Sequence, residues 1–133
     1  MVRIALVLVC SVFLAGCTEG SNPKKTSVIE ETGVIEEGDL TDENYGGYRY
    51  DSFEFQVNSM DMVTVEIEPR GFQPVLTLHE VSTGAHLAEY DPAYTEDPAL
   101  VYRIAGGGAC EARVYALEDG TGTYTVKITI EGN

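Results

Sequence analysis

Basic residues are scarce in this sequence, in which eight Lys and Arg stand against 22 Asp and Glu and leave a formal net charge of −14. Proteins that bind nucleic acids carry clustered Lys and Arg, which neutralise phosphates and release counterions. A chain with the opposite charge repels phosphate backbones and anionic lipid headgroups. We therefore expect no nucleic-acid partner.

Residue types that commonly perform catalysis are also few. The chain holds two His and no Trp, and it contains no G-x-S-x-G, H-E-x-x-H or glycine-rich phosphate-loop motif. An enzyme needs a positioned base or nucleophile, so the sequence predicts a protein that is not an enzyme. A small hydrolase of unrecognised type is the third interpretation that we carry forward.

The three cysteines do not amount to a disulfide framework. Cys10 and Cys17 lie in or next to the N-terminal apolar segment, and Cys110 stands alone in the rest of the chain. No C-x-x-C pair occurs, which excludes a zinc site built from cysteines. Cys110 alternates with Ala112 and Val114 on one apolar face, and this pattern predicts a buried structural thiol.

The N-terminal segment has the pattern of a secretory signal. Arg3 precedes an apolar run, residues 4–13, that is too short for the ~20 residues of a membrane-spanning helix. Leu14-Ala15-Gly16-Cys17 resembles the bacterial lipobox, in which the peptidase cuts before a diacylated cysteine. The resemblance implies a signal peptide at 1–16 and a mature protein held on the membrane by acyl chains, such as palmitate, on Cys17.

The lipobox resemblance also implies an address. Thr18 rather than Asp follows Cys17, which in a Gram-negative host implies sorting to the outer membrane. We expect an extracytoplasmic, membrane-anchored lipoprotein with a flexible acidic tether at 17–32 and a folded domain at 33–133. Val28-Ile29 and Val34-Ile35 interrupt the acidic segment, so part of it is expected to pair as an edge strand.

From Tyr50 onward, apolar residues recur at every second position, as in half-buried strands. Turn residues separate the runs, and no amphipathic helix of ten residues is left. Seven to eight short strands, each with one apolar face, predict an all-β fold made of two packed antiparallel sheets, a β-sandwich. The alternating apolar positions include Phe53, Phe55, Val57, Val63, Val65, Ile67, Leu76, Leu78, Leu100, Ile104, Val114, Val126, Ile128 and Ile130.

Four stretches of the domain follow the pattern of a known family. They are Gly38-Asp39 before Tyr50-Asp51-Ser52-Phe53-Glu54-Phe55, Met62-Val63-Thr64-Val65, Phe72-Gln73-Pro74-Val75-Leu76-Thr77-Leu78 with Gly84, and Ala112-Arg113-Val114 before Gly122-Thr123-Tyr124-Thr125-Val126. Through these stretches the domain resembles the bacterial pre-peptidase C-terminal domain, a jelly-roll-like sandwich often appended to secreted proteases and related to the collagen-binding modules of collagenases. The likeness spans residues 33–130, and two features depart from it: Cys110 replaces a common aromatic, and an Asp-rich loop is reduced to Asp91-Pro92 and Glu96-Asp97.

Calcium is the metal that the composition favours, because the chain has a surplus of hard oxygen ligands. Asp39, Asp42, Glu43 and Asp51 flank a glycine-containing loop and are predicted to converge once the first strand pairs. The spacing matches no EF-hand. The alternative is a solvated acidic surface that keeps the protein soluble or suits a salty habitat.

The two histidines give a second metal hypothesis. If Ser82-Thr83 forms a two-residue turn, His79 lies opposite His86 across a hairpin, an arrangement that can bind Zn²⁺ or Cu²⁺. A three-residue loop would separate them. In that case they are ordinary surface histidines.

A ligand surface is predicted around the aromatic stretch from residue 45 to residue 50. Tyr45, Tyr48 and Tyr50 are concentrated there with two glycines, and Tyr115 beside Arg113 projects from an outward face. Such amphipathic side chains suit stacking on sugars or extended peptides. The alternative is that they cover one end of a sheet.

The function that the sequence favours is a lipid-anchored, extracytoplasmic and non-catalytic binding or accessory module at the cell envelope. Its expected partners are the membrane, through the acyl chains, and an envelope protein or polymer. The alternative is a structural or assembly partner of an envelope protein complex. Apart from calcium, no cofactor is expected.

Overall fold

The computed structural model describes residues 25–93, 99–118 and 120–132. The predicted signal peptide, Cys17 and the first half of the predicted tether, residues 17–24, lie outside the described residues, so these assignments stay predictions. No helix in the described part of the chain is long and apolar enough to cross a membrane. The strands are β1 Thr26–Ile35, β2 Thr41–Asp42, β3 Tyr48–Val57, β4 Met62–Arg70, β5 Pro74–Glu80, β6 His86–Tyr90, β7 Ala99–Arg103, β8 Gly108–Ala116 and β9 Gly122–Glu131, with a 3-10 helix at Glu43–Tyr45.

The strands form two antiparallel sheets that pack face to face. One sheet has the order β1-β9-β4-β7 and the other has the order β2-β3-β8-β5-β6. The predicted all-β sandwich is therefore confirmed. The described residues contain nine strands rather than seven to eight, because the two-residue strand β2 is too short to leave a periodic pattern in the sequence.

The first strand begins earlier than the predicted domain boundary at residue 33. β1 pairs with β9 over its whole length, from Thr26 opposite Glu131 to Ile35 opposite Gly122. Charged residues such as Glu30 suggested a tether, but an edge strand tolerates charge and is protected by it from pairing with other chains. Ile29 is buried on the inner face, so this half of the segment belongs to the domain.

The core lies between the sheets and is built from the alternating apolar positions. Val65, Leu78 and Val126 are each at most 1% exposed, as expected from the period of two. Cys110 is buried in this core as a free thiol, as predicted. Burial raises the pKa of its thiol, so the group is protonated and unreactive near neutral pH.

The two poles of the sandwich can be told apart. At one, which we call the tether pole, the Gly132 N–H donates to the Lys25 carbonyl at 2.7 Å. At the other, the distal pole, the Tyr124 hydroxyl donates to Asp51 near the start of β3 at 2.5 Å. β1 begins at the tether pole, and the start of β3 lies at the distal pole.

Candidate functional site

The candidate site lies on the outer face of the five-stranded sheet, at the distal pole. Alternation along β8 turns Ala112 and Val114 into the core, so Arg113 and Tyr115 point outward. Tyr50 of β3 is the cross-strand partner of Tyr115. Two aromatic rings, Tyr50 and Tyr115, and the positively charged Arg113 therefore lie at the same end of this face.

The segment from β2 through the 3-10 helix folds over that end. Asp42 caps the helix by accepting a hydrogen bond from the Asn44 N–H at 3.0 Å. Gly46 ends the helix in the left-handed conformation at φ 64°. A Cβ on Gly46 would lie 2.7 Å from the ring of Tyr48, so the glycine lets that ring pack against the turn.

Four tyrosines meet beneath and around this segment, and we call them the tyrosine cluster (Tyr45, Tyr48, Tyr50 and Tyr115). The ring centroid of Tyr115 is 4.6 Å from that of Tyr45 and 5.3 Å from that of Tyr50. Tyr45 also meets Tyr48 edge-on at 6.3 Å. These separations are those of favourable aromatic pairs. Tyr115 is 1% exposed, and the other three are half-buried.

Arg113 ties the tyrosine cluster to the folded segment. Its guanidinium lies 5.0 Å from the ring centroid of Tyr50, donates to the Tyr115 hydroxyl at 3.1 Å and to Asp42 at 3.0 Å, and is ion-paired with Glu111. The Tyr115 hydroxyl donates to the same oxygen of Asp42 at 2.7 Å. One carboxylate oxygen of Asp42 therefore accepts hydrogen bonds from two side chains of β8. Because Asp42 caps the 3-10 helix, these bonds fix the helix on the sheet.

The protonation states keep this network intact near neutral pH. Burial raises the pKa of Tyr115 to about 12, and Asp42 adds to this effect while Arg113 opposes it. Burial alone would lower the pKa of Arg113, but its hydrogen bonds with Tyr115 and Glu111 raise the pKa above its ordinary value. The tyrosine is a neutral donor, and the arginine stays charged.

All five residues predicted to form a ligand surface thus come together. Tyr45, Tyr48 and Tyr50 are half-buried and so remain partly accessible to solvent. The prediction for Tyr115 is wrong in one respect, because Tyr45 and Tyr50 pack on it and leave it no surface for a ligand. Tyr115 and the paired Arg113 support the other three residues.

Two of the four acidic residues predicted to bind calcium accept hydrogen bonds from other side chains. Asp42 accepts hydrogen bonds from Arg113 and Tyr115 on the outer face. Asp51 accepts one from the Tyr124 hydroxyl between the sheets. The two carboxylates therefore lie on opposite sides of the sheet that carries them.

The other two do not complete a site either. Asp39 accepts a hydrogen bond from the Glu36 N–H at 2.8 Å within its own turn, and Glu43 is an exposed residue in the 3-10 helix. Among the residues described, no group of three or more His, Cys, Asp or Glu side chains is arranged to hold a metal ion. The expected convergence is not observed, and calcium binding itself stays a prediction.

The two histidines lie on the same outer face, at its β6 edge. His79 and His86 are cross-strand partners, with ring centroids 5.2 Å apart. The predicted two-residue turn is wrong, because the bond from the Gly84 N–H to the Glu80 carbonyl encloses three residues. A register shift after Leu78 brings the two histidines opposite each other all the same. The next residue of the row is Glu111 on β8. Burial lowers the pKa of His79, and Arg113 and His86 lower it further.

The outer face of the four-stranded sheet has only a small depression among the described residues. It holds a depression of about 220 Å³ lined by Thr32, Glu68, Arg70, Thr123, Tyr124 and Thr125. Pockets for small ligands are commonly larger, about 300–1,000 Å³. The candidate site is therefore the tyrosine cluster with its neighbouring charged residues.

The described residues form a β-sandwich of nine strands with an aromatic, ion-paired patch on one outer face. No protein-family model matches the sequence, and no curated protein matches it. Among solved structures, the chain is similar to PliG of Salmonella Typhimurium, a periplasmic lysozyme inhibitor of g-type lysozyme, with a TM-score of 0.53 and 20% identity over 77% of this chain and 90% of that chain.

Two further structures show the same likeness. PliG of Aeromonas hydrophila, also a periplasmic inhibitor of g-type lysozyme, has a TM-score of 0.55 and 11% identity over 85% of this chain and 92% of its own. The pre-peptidase C-terminal domain of the Bacillus anthracis collagenase has a TM-score of 0.55 and 20% identity over 74% of this chain and 86% of its own. The chain therefore shares its fold with both groups, and the resemblance to the pre-peptidase domain is supported at the level of the fold.

Proposed function

We propose that this protein is a lipid-anchored, non-catalytic binding module of the cell envelope, and that it binds a protein through the tyrosine cluster. The observation that supports the proposal is that the half-exposed tyrosines of the cluster are packed on buried or ion-paired side chains. Tyr45, Tyr48 and Tyr50 are half-exposed and rest on a buried tyrosine and an ion-paired arginine. Rigid amphipathic rings supply contact area with little loss of conformational entropy on binding.

The charge of the chain indicates the chemistry of the partner. The net charge is −14, and the exposed carboxylates of Glu43 and Glu54 lie on or beside the face that carries the cluster. Complementary charge raises the association rate and disfavours partners of the same sign. A basic protein is therefore the partner that this surface fits.

The structural neighbours support a protein partner. Both PliG proteins are inhibitors of g-type lysozyme and are periplasmic, which also supports an extracytoplasmic location. Identities of 20% and 11% show a shared fold and do not assign the target of PliG to this chain. A g-type lysozyme is therefore the first candidate partner to test. The proposal itself requires only a basic protein.

The anchor predicted at Cys17 suits this arrangement. Nine positions separate Cys17 from the start of β1 at Thr26, and β1 leads away from the tether pole. Strands rise about 3.3 Å per residue, so the ten residues of β1 would place the distal pole about 30 Å farther from an anchor than the tether pole. The tyrosine cluster would then face away from the membrane.

The test measures binding of the mature chain, with Cys17→Ser to keep it in solution, to a g-type lysozyme and to a panel of basic envelope proteins. Tyr45→Ala with Tyr48→Ala is expected to weaken binding at least tenfold. The control is Thr64→Ala with Thr129→Ala, a cross-strand pair on the outer face of the other sheet, which should leave binding unchanged. Melting temperatures verify that each variant is folded.

Two results would contradict the proposal. Equal losses from both double variants would mean that the binding site is not the tyrosine cluster. If no basic protein binds, and cross-linking in the native cells instead identifies one stably associated envelope complex, the alternative of an assembly partner replaces the binding module.

A further inference from the structure

The two histidines of the chain form a fixed cross-strand pair. His79 is the second-last residue of β5 and His86 is the first residue of β6. The hairpin that joins them is closed by two backbone hydrogen bonds, from the Glu80 N–H to the Ala85 carbonyl at 2.9 Å and from the Gly84 N–H to the Glu80 carbonyl at 2.8 Å. His86 is exposed and His79 is half-buried, so the pair is both positioned and accessible.

The separation of the rings matches that of two imidazoles on one metal ion. On a tetrahedral ion with metal–nitrogen bonds of about 2.1 Å and ring centres about 1.1 Å behind the nitrogens, the two centroids lie about 5.2 Å apart. The centroids of His79 and His86 are 5.2 Å apart. A bound imidazole can rotate about its metal–nitrogen bond, so the angle of 82° between the rings is compatible with coordination.

Thr77 supplies the support that a histidine ligand needs. Its hydroxyl oxygen lies 2.8 Å from Nε2 of His79, and the residue is 1% exposed. When the Nε2–H donates to this oxygen, Nδ1 carries the free lone pair. Metal-binding histidines commonly donate their second N–H in this way, which fixes both the tautomer and the ring orientation.

Acidic residues near the pair favour a cation. Glu111 is the cross-strand neighbour of His79 on the other side. The net charge of −14 adds a long-range attraction for cations.

From this geometry we propose that His79 and His86 form a two-histidine site for a divalent transition metal ion of the Zn²⁺ or Cu²⁺ class, with Thr77 as a positioning residue. Two protein ligands leave the remaining coordination positions to water or to a side chain of a bound partner. The site is separate from the tyrosine cluster and does not depend on the proposed function.

The test uses the purified full chain and either ZnCl₂ or CuCl₂ as the probe. Because the chain contains only two histidines, every imidazole signal in an NMR titration belongs to this site. We expect both imidazoles to shift together at a ratio of one metal ion per chain, and Cu²⁺ to show two nitrogen ligands by electron paramagnetic resonance. His86→Gln should weaken binding at least tenfold and leave one nitrogen signal.

Two controls make the result decisive. Gln56→Ala changes an exposed residue on the same outer face and should leave metal affinity unchanged, whereas Thr77→Val should weaken it and alter the tautomer of His79 seen in nitrogen chemical shifts. Lowering the pH from 7.5 to 5.5 should also weaken binding, since protons compete for both rings. Equal affinity in the original chain and in His86→Gln would overturn the proposal, and loss of metal binding would leave the partner-binding proposal intact.

Discussion

Tyr124 joins the two sheets through a side-chain hydrogen bond. Its ring is 2% exposed, and its hydroxyl donates to Asp51 on the facing sheet at 2.5 Å. The ring lies across Gly33 of β1, where a Cβ would come within 2.3 Å of the hydroxyl oxygen. Burial and the bond to Asp51 raise the pKa of Tyr124, so the group stays protonated and acts as a donor.

The bond between Tyr124 and Asp51 can be tested by Tyr124→Phe. This change keeps the ring but removes the donor from a half-buried carboxylate, and it should lower the free energy of unfolding by about 1–3 kcal/mol. Urea denaturation followed by circular dichroism measures the loss. Tyr102→Phe, a half-buried ring on the edge strand β7, is the control and should cost clearly less.

The close approach of Tyr124 to Gly33 gives a second test. Gly33→Ala should destabilise the domain by about 1–3 kcal/mol, because overpacking forces a buried ring out of its position. Gly106→Ala is the matched control, since a Cβ at Gly106 has nothing within 4 Å. Equal denaturation midpoints for the two variants would show that the ring of Tyr124 adjusts without cost.

Residue patterns predict which side chains are buried more reliably than which polar groups meet. The burial of Cys110 follows from its place in an alternating strand. The pairing of Asp42 with Arg113 joins residues 71 positions apart in the sequence, and no local pattern encodes it. The sequence holds one indication of such a pair. Basic side chains are few and acidic ones are many, and a half-buried arginine needs a carboxylate partner.

The 3-10 helix and β2 form an element that is held on the sheet by strand pairing, by the packing of Tyr45 on Tyr115 and by Asp42. Asp42 connects it to β8, and the backbone bonds from the Gly47 N–H to the Asp42 carbonyl and from the Tyr50 N–H to the Leu40 carbonyl close the segment at 2.9 and 3.0 Å. The element has no fully buried residue. Its position on the sheet therefore depends on the charge of Asp42 as well as on the packing of Tyr45.

Asp42→Asn is expected to loosen this element. The amide is a weaker acceptor for Arg113 and Tyr115 than the carboxylate, so hydrogen exchange at the Gly47 and Tyr50 amides should accelerate about tenfold or more, with little change in the core. Asp39→Asn is the control, since the hydrogen bonds of Asp39 with described residues lie within its own turn. Exchange rates that are the same in both variants would mean that the aromatic contacts alone fix the element.

The β5–β6 hairpin makes the stability of the domain depend on pH through His79. Burial, Arg113 and His86 lower the pKa of this group, and Glu111 and Asp42 oppose the shift. The unfolded chain therefore binds the proton more tightly than the folded chain does. The free energy of unfolding should fall as the pH drops below about 6.5, the ordinary pKa of histidine. Above that pH, His79 is neutral in both states and adds no pH dependence.

His79→Gln should reduce the slope of unfolding free energy against pH between pH 5.5 and 7. This window lies above the ordinary pKa values of Asp and Glu, so carboxylates contribute little to the slope. Urea denaturation at several pH values measures it. An unchanged slope in the variant would mean that His79 is protonated as easily in the folded chain as in the unfolded chain.

At the level of elements, the sequence predicts the strands but not their neighbours. A period of two shows which face of a strand is buried, whereas pairing depends on contacts between distant parts of the chain. β9 lies between β1 and β4, an order that alternation alone does not specify. The β5–β6 hairpin illustrates the same limit, because a short turn suggests a register but the pairing shifts after Leu78, which the sequence pattern does not show.

For the whole molecule, the poles of the sandwich relate the predicted anchor to the candidate site. Cys17 precedes a strand that starts at the tether pole, and the tyrosine cluster lies at the distal pole. An anchored molecule would hold the loop around Ser59, between β3 and β4, toward the membrane and the exposed Asn44 away from it. Both consequences can be measured on the same lipidated protein.

The lipidated protein is expected to bind liposomes through Cys17 and to keep this orientation. Cys17→Ser should abolish palmitate incorporation and liposome binding, since three acyl chains at about 0.8 kcal/mol per buried CH₂ supply the affinity. A fluorophore on Ser59→Cys should be quenched by lipid-borne quenchers more than one on Asn44→Cys, and the buried Cys110 should not be labelled. Equal quenching at the two positions would show that the domain tumbles freely on its tether, and the tyrosine cluster would then have no fixed direction relative to the membrane.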